Sequence, residues 1–304
     1  MKSKERYQVF TESTYIPIFS QPWWLDITCG SDNWDVYVVE KGGKPIAAMP
    51  YLIKDTKEGR IITRAPLTQN NGIIISYPPK QKYSSKLDYE DRIINEICDY
   101  IESLNLKRYD QQYNYRFENW LPFFWRYYSE SLKYTYVIED AHDLKIVEDQ
   151  FSSDARNMLR KAKDKVKTVD SDDVALFYKL NRLTFERQGR ETPFSQVLIE
   201  ELFCASQERK CSRLLFAIDD SENVHSGAFL VWDEHSVYYL INGTDPNYKN
   251  SQANTLLIYE GIKQAHDLGK AFDFEGSVIP GVEKAFRQFG GVRKPYFRIY
   301  KEFY

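Results

Sequence analysis

The sequence predicts an α/β protein built from two similar units, each a mixed sheet flanked by helices. Three observations point to it. The chain has 304 residues, room for two domains of ordinary size, and 15% of them are aromatic, ample material for packed cores. Short apolar stretches of period two alternate with longer stretches of helical period. The order of these stretches in residues 1–140 returns in residues 141–304, which places the join near Asp140 to Lys145 and suggests two copies of one unit.

In the first half, Trp34 to Val39 alternates as a strand, Lys41-Gly42-Gly43 turns the chain, and Pro45 to Ile53 and Arg60 to Thr63 continue the sheet. A loop with Pro66, Asn70, Asn71 and Gly72 leads to a helix over Tyr89 to Leu104 and a strand over Lys107 to Tyr113. A short helix from Asn119 through Pro122 and a strand over Tyr134 to Ile138 close this half. In the second half, Arg213 to Ile218, Ser226 to Trp232 and Val237 to Ile241 read as strands joined by acidic turns. Ser251 is placed to cap a helix in which Ala253, Leu257, Ile258, Ile262, Ala265 and Leu268 recur at helical spacing, and Gly269 ends it. Ala271 to Ser277 reads as a buried strand. A short helix follows, with Pro280 in its first turn and Gly290-Gly291 as its stop, then a last strand over Tyr296 to Tyr300. Ahead of its strands this half carries three further helical stretches, Ile146 to Lys163, Asp172 to Gln188 and Ser195 to Arg209.

With 41 basic and 44 acidic residues the chain has no global preference for DNA, an anionic membrane or an acidic ligand. The charged start, Met1 to Arg6, leads into no apolar segment long enough for a signal peptide or a membrane span, which places the protein in the cytoplasm. Cys29, Cys98, Cys204 and Cys211 form no CxxC pair and are expected as buried, reduced thiols. The four histidines show no HExxH or Cys-rich spacing, so no metal is expected, and neither a GxSxG elbow nor a GxGxxG turn is present.

Two stretches carry chemistry. In Ala271-Phe272-Asp273-Phe274-Glu275-Gly276-Ser277, strand alternation puts the phenylalanines on one face and both acids on the other. Carboxylates there are hydrogen-bonded, ion-paired or working in a cleft. Arg156, Arg160, Lys163 and Lys167 recur at helical spacing opposite an apolar face of Phe151, Ala155, Leu159, Ala162 and Val166. This basic face is either a solvated surface or a cradle for the phosphates of a nucleotide, a coenzyme or a tRNA end.

Gln21-Pro22-Trp23-Trp24-Leu25, Tyr134 to Ile138, Arg156-Asn157-Met158-Leu159-Arg160-Lys161-Ala162, Phe272 to Ser277, Pro280 to Lys284 and Phe289-Gly290 occur in an order that resembles the FemAB-like branch of the GNAT superfamily. The likeness covers nearly the whole chain and implies a tandem of two GNAT-like domains. It implies transfer of an acyl or aminoacyl group to an amine of a cell-envelope, sugar or amino-acid acceptor, with acyl-coenzyme A or aminoacyl-tRNA as donor and no tightly bound cofactor. The stretch matching the coenzyme-A loop, Asn242 to Ser251, lacks that loop's glycines, although Lys249 and a helix N-terminus there can hold a phosphate.

Acyl transfer needs a base, oxyanion donors and an acid for a thiolate leaving group. Glu275 is the candidate base or amine-binding group, with Asp273 deeper on the same face and Tyr239 as candidate acid, Tyr238 facing the other way. Asn242, Ser277, Lys284 and Arg287 are candidate substrate contacts, and Arg156, Arg160, Lys163 and Lys249 candidate phosphate contacts. The first half, with only Asp110 as an acid on its matching strand, is expected to be a degenerate copy that shapes the substrate cleft. The rival from another class is a non-catalytic GNAT-derived module that binds an envelope precursor or a partner protein.

Overall fold

The computed structural model describes residues 2–276 and 279–304. The elements run α1 (Ser3–Thr11), α2 (Pro22–Cys29), β1 (Trp34–Lys41), β2 (Lys44–Thr56), β3 (Gly59–Thr63), β4 (Ile74–Ile75), α3 (Tyr83–Ser103), β5 (Arg108–Gln112), α4 (Leu121–Trp125) and β6 (Ser129–Ile138). They continue with α5 (Leu144–Asp149), α6 (Ser153–Lys163), β7 (Lys167–Asp170), α7 (Val174–Glu186), α8 (Gln196–Glu208), β8 (Ser212–Ile218), β9 (Val224–Trp232) and β10 (Ser236–Thr244). A 3₁₀ turn over Pro246–Ser251, α9 (Ala253–Leu268), β11 (Ala271–Asp273), α10 (Pro280–Arg287) and β12 (Val292–Glu302) complete the chain.

The chain divides into two compact units, Met1–Lys133 with Pro295–Tyr304, and Tyr134–Lys294. The first has the strand order β1-β2-β3-β5-β12, antiparallel except for the parallel pair β3 and β5, with β4 on β2. The second has the order β7-β8-β9-β10-β11-β6, antiparallel except for the parallel pair β10 and β11. Each therefore has a three-strand meander, a helical crossover to a parallel strand, and an antiparallel strand beyond it. This is the duplicated α/β arrangement expected from the element order.

The units differ from the expected halves in one respect. The strand that closes the first sheet is β12, from the end of the sequence, paired to β5 from Arg298 against Gln112 to Glu302 against Arg108. The strand beside β11 is the Tyr134–Ile138 part of β6, with Phe272 opposite Ile138 and Asp273 opposite Val137. The chain thus parts at 133/134 and 294/295 rather than near 140. Apolar alternation shows that a segment is a strand and leaves its neighbour open, so a single chain-order cut could not be refined from pattern alone.

Burial explains the rest. In the first unit, Tyr89, Ile93, Ile94, Ile97, Cys98 and Ile101 form the apolar stripe of α3 against Met49, Tyr51, Ile62 and Tyr109 of the sheet. The other face of β1 and β2 is covered by Tyr7 and Phe10 of α1 and Leu25 of α2, helices that the sequence reading left out. In the second unit, Leu257, Ile262 and Ala265 of α9 and Ala155, Leu159 and Ala162 of α6 bury the face made by Leu215, Ala228, Leu230, Val237, Tyr239 and Phe272. The stretch expected as one helix over 146–163 is two, because Asp143 and Ser152 each cap a helix of their own, Ser152 Oγ accepting from Ala155 N at 3.1 Å. Lys167 lies in strand β7, not on the basic helix.

Candidate active site

The site is built where β10 and β11 stop running together. They pair from Ser236 against Ala271 to Tyr238 against Asp273, after which β10 continues to Thr244 while β11 ends. The expected strand over 271–277 is therefore three residues long. Phe274 N still bonds Tyr136 O of β6 at 3.0 Å, but Glu275 and Gly276 both turn into the left-handed region, each at φ 64°. An opening between parallel strands at their C-terminal ends is where ligands of open α/β sheets bind.

Gly276 is required there twice over, by its backbone conformation and by space. A Cβ at this position would lie 2.2 Å from the carbonyl oxygen of Tyr134. Gly276→Ala is expected to lower stability by about 2–4 kcal/mol, left-handed strain plus overpacking. A denaturant midpoint equal to the parent's would show that the turn is not held this way.

Asp273 is 3% exposed and fully engaged: its Oδ1 accepts from Thr135 Oγ1 at 2.5 Å and from the backbone N of Glu275 at 2.8 Å. Glu275 is its opposite. The residue as a whole is half-buried, yet both carboxyl oxygens are buried and neither has a hydrogen-bond partner among the described residues. Burial first, then the nearby charges of Asp273 and Asp233, push its carboxyl well above the usual carboxylate range. A non-glycine residue held left-handed costs about 1–2 kcal/mol, so strain and an unpartnered acid coincide at one position.

Asp233, in the β9–β10 turn, escaped the sequence reading. Its Oδ1 accepts from His235 N at 2.9 Å and Ser236 N at 3.0 Å, and its Oδ2 accepts from the Tyr238 hydroxyl at 2.9 Å. Tyr239 points the other way, into the apolar core near Phe272, and donates to Asn254 Oδ1 at 2.8 Å. Burial holds its phenol far above the ordinary range. Asn242 is half-buried and donates to the same Asn254 oxygen at 2.7 Å, which binds the end of β10 to the first turn of α9.

The outer part of β10 is further shaped by a bulge, the β9 register shifting between Tyr239 and Ile241. Asn181 of α7 donates to Asn242 O at 2.7 Å, and Thr184 accepts from Thr244 N at 3.0 Å. Gly243 admits this contact, since a Cβ there would stand 2.3 Å from Asn181 N. The Asn181 clamp leaves no local sequence signal, because it joins residues 61 apart in the chain.

The remaining candidates lie apart in kind. Lys284 is exposed, and Arg287 is exposed with its Nε 3.4 Å from Glu283 Oε1, an i,i+4 surface pair. Lys249 is exposed on the 3₁₀ turn. Ser277 lies outside the described residues. Arg156, Arg160 and Lys163 line a groove that includes none of Glu275, Asp273, Tyr239 or Asn242. Among the described residues no group of three His, Cys, Asp or Glu is placed to hold a metal ion, and no helix is long and apolar enough to cross a membrane.

Two units of this kind, each a meander with a helical crossover to a parallel strand, make the fold of a tandem GNAT protein. Residues 150–283 match the family model of the acetyltransferase (GNAT) domain. The chain is similar over its whole length to a structure of FemX, with a TM-score of 0.72 at 13% identity, covering 98% of this chain and 96% of that one. It is also similar to L-PGS from Bacillus licheniformis, with a TM-score of 0.58 at 10% identity, covering 97% and 90%. A tandem GNAT protein from the clavulanic acid biosynthesis pathway aligns with a TM-score of 0.53 at 9% identity, covering 92% and 94%. No curated protein matches the sequence.

Proposed function

We propose that the protein is an N-acyltransferase, moving an acyl or aminoacyl group from an activated donor to an amine of a cell-envelope, sugar or amino-acid acceptor. The observation that carries this reading is Glu275: a buried carboxyl of raised pKa, without a partner among the described residues, where β10 and β11 stop pairing. A general base works best when its pKa lies near the operating pH, and burial beside two other acids moves a glutamate in that direction.

In this reading the acceptor enters as an ammonium, pairs with Glu275 and passes it a proton. The resulting amine attacks the acyl carbonyl, and the tetrahedral intermediate collapses as its C–S or C–O bond to the donor breaks, the donor leaving as a thiolate while the nitrogen sheds its extra proton to water, or as a hydroxyl that takes up that proton. Asp273, held by Thr135 and by the Glu275 amide, keeps a negative charge beside the base and sustains its affinity for that proton. The bulge in β10 takes one backbone amide out of the ladder with β9 next to the opening and supplies a candidate oxyanion donor. Tyr239, tied to Asn254 within the core, acts by positioning β10 rather than as the acid.

The first unit is read as the copy without the chemistry. Its matching acid, Asp110, is neutralised by Arg298, with Nε to Oδ1 at 2.8 Å and Nη2 to Oδ2 at 2.6 Å. In this reading the donor is acyl-coenzyme A or an aminoacyl-tRNA and the site of action cytoplasmic, and the fold shared with FemX and L-PGS supports a transferase of this kind. Incubation with a panel of acyl-coenzyme A donors and charged tRNAs, together with amine acceptors, should give an acylated product detectable by mass. Donors that bind without any product forming would favour the non-catalytic binding module instead.

A further inference from the structure

A groove of ≈ 360 Å³ on the surface of α5 and α6 takes no part in the chemistry above. Phe151 and Leu159, both almost fully buried, give it an apolar floor, and Arg156, Arg160 and Lys163 supply three cations. Its two acids are Glu148 and Asp164. Glu148 already accepts from the Tyr259 hydroxyl, and the Lys163 ammonium sits 4.4 Å from the centre of the Tyr259 ring. Neither Arg156 nor Arg160 has a side-chain partner among the described residues.

Exposed arginines elsewhere on helices of this unit have an acid one turn away, as Arg182 has Glu186 and Arg287 has Glu283. Arg156 and Arg160 are one turn from each other, a like-charge spacing that is unfavourable until an anion lies between them, and Asp164, one turn beyond Arg160, forms no ion pair with it among the described residues. From Arg156 to Lys167 the cations Arg156, Arg160, Lys161, Lys163, Lys165 and Lys167 face the single acid Asp164. Guanidinium pairs bind phosphate oxygens by forked, charge-assisted hydrogen bonds. The volume suits a small molecule, and carboxylates in the lining disfavour a nucleic-acid backbone, which seeks an unbroken positive surface.

We propose that this groove binds the phosphates of a small nucleotide-type molecule between Arg156, Arg160 and Lys163, with the apolar floor taking up carbon surface of the same ligand. This goes beyond the assignment of Glu275, and it is tested by binding without turnover, so that the two readings fail separately. The full-length chain is titrated calorimetrically with sodium pyrophosphate, coenzyme A and uridine diphosphate, beside Arg156→Ala/Arg160→Ala, Lys163→Gln and Glu275→Gln. At least one probe should bind the parent and Glu275→Gln alike, more weakly as salt is added, and at least about tenfold more weakly to the double variant. Lys163→Gln, a single exposed change, should weaken the same probe and guards against a double variant that does not fold. Preference for coenzyme A would identify a thioester donor as the source of the phosphates, and preference for uridine diphosphate a nucleotide-linked acceptor. Binding of none of the three, binding of tRNA alone, or equal binding by parent and both groove variants would overturn the proposal.

Discussion

Glu275→Gln is expected to lower turnover by roughly 10²-fold to 10⁴-fold, the usual loss of a positioned general base, while melting at or above the parent's temperature. Among the described residues the carboxyl has no partner to lose, so glutamine breaks none of their bonds. The pH dependence has a definite sign. The folded-state pKa is raised above the unfolded value, so the carboxyl's favourable contribution is complete below about pH 4.3 and is lost as pH rises through the folded value. The gain in melting temperature should therefore appear at neutral pH and vanish near pH 4. In the parent, kcat/KM should rise with pH along a limb set by a carboxyl above its usual range, and the variant should lack that limb. Full turnover in Glu275→Gln would remove this residue from the mechanism, and a variant melting far below the parent would mark it as structural.

Arg298→Ala is expected to destabilise the protein by about 2–4 kcal/mol, because it leaves Asp110 buried with its charge uncompensated. Asp110 is 8% exposed by its side chain and Arg298 37%, so the loss is set below that of a fully buried pair. Adding Asp110→Asn should recover part of it, since the stranded charge then disappears. Chemical denaturation of the three variants checks this, and an unchanged midpoint for Arg298→Ala would mean that water replaces the arginine without penalty. Two acids, one in each unit, are thus expected to give opposite results: removing the partner of Asp110 costs stability, whereas neutralising Glu275, which has no partner among the described residues, costs turnover.

Much of the fold could be read in the sequence because burial writes itself as periodicity. Ile93, Ile97 and Ile101 announce α3, and Leu257, Ile258 and Ile262 announce α9. The acids at 273 and 275 stood out because charge inside an apolar strand is costly. What alternation misjudged was the backbone at Glu275, where the strand gives way to two left-handed residues and the side chain leaves the regular face. Asp233 and Asn181 were missed for a different reason. Asn181 acts across 61 residues, on the carbonyl of Asn242, while Asp233 bonds Tyr238 within its own turn and comes near Glu275 only through the fold, and neither residue differs locally from an ordinary helix or turn residue. The break at Ser152 was legible in principle, as a serine followed by an acidic first turn marks a helix start.

The route of β12 also bears on how the protein is made. A ribosome delivers β1 to β5 early, but the strand that closes their sheet is the last one in the sequence. The usual vectorial order, in which an N-terminal domain matures while the remainder is still being synthesised, is therefore closed to the first unit. Until β12 arrives, the Arg108–Gln112 edge stands open, a template for pairing with other nascent chains. Holding that edge soluble for the time needed to translate the whole second unit is a demand that falls on chaperones, and it predicts that pausing late in translation is more damaging than pausing early.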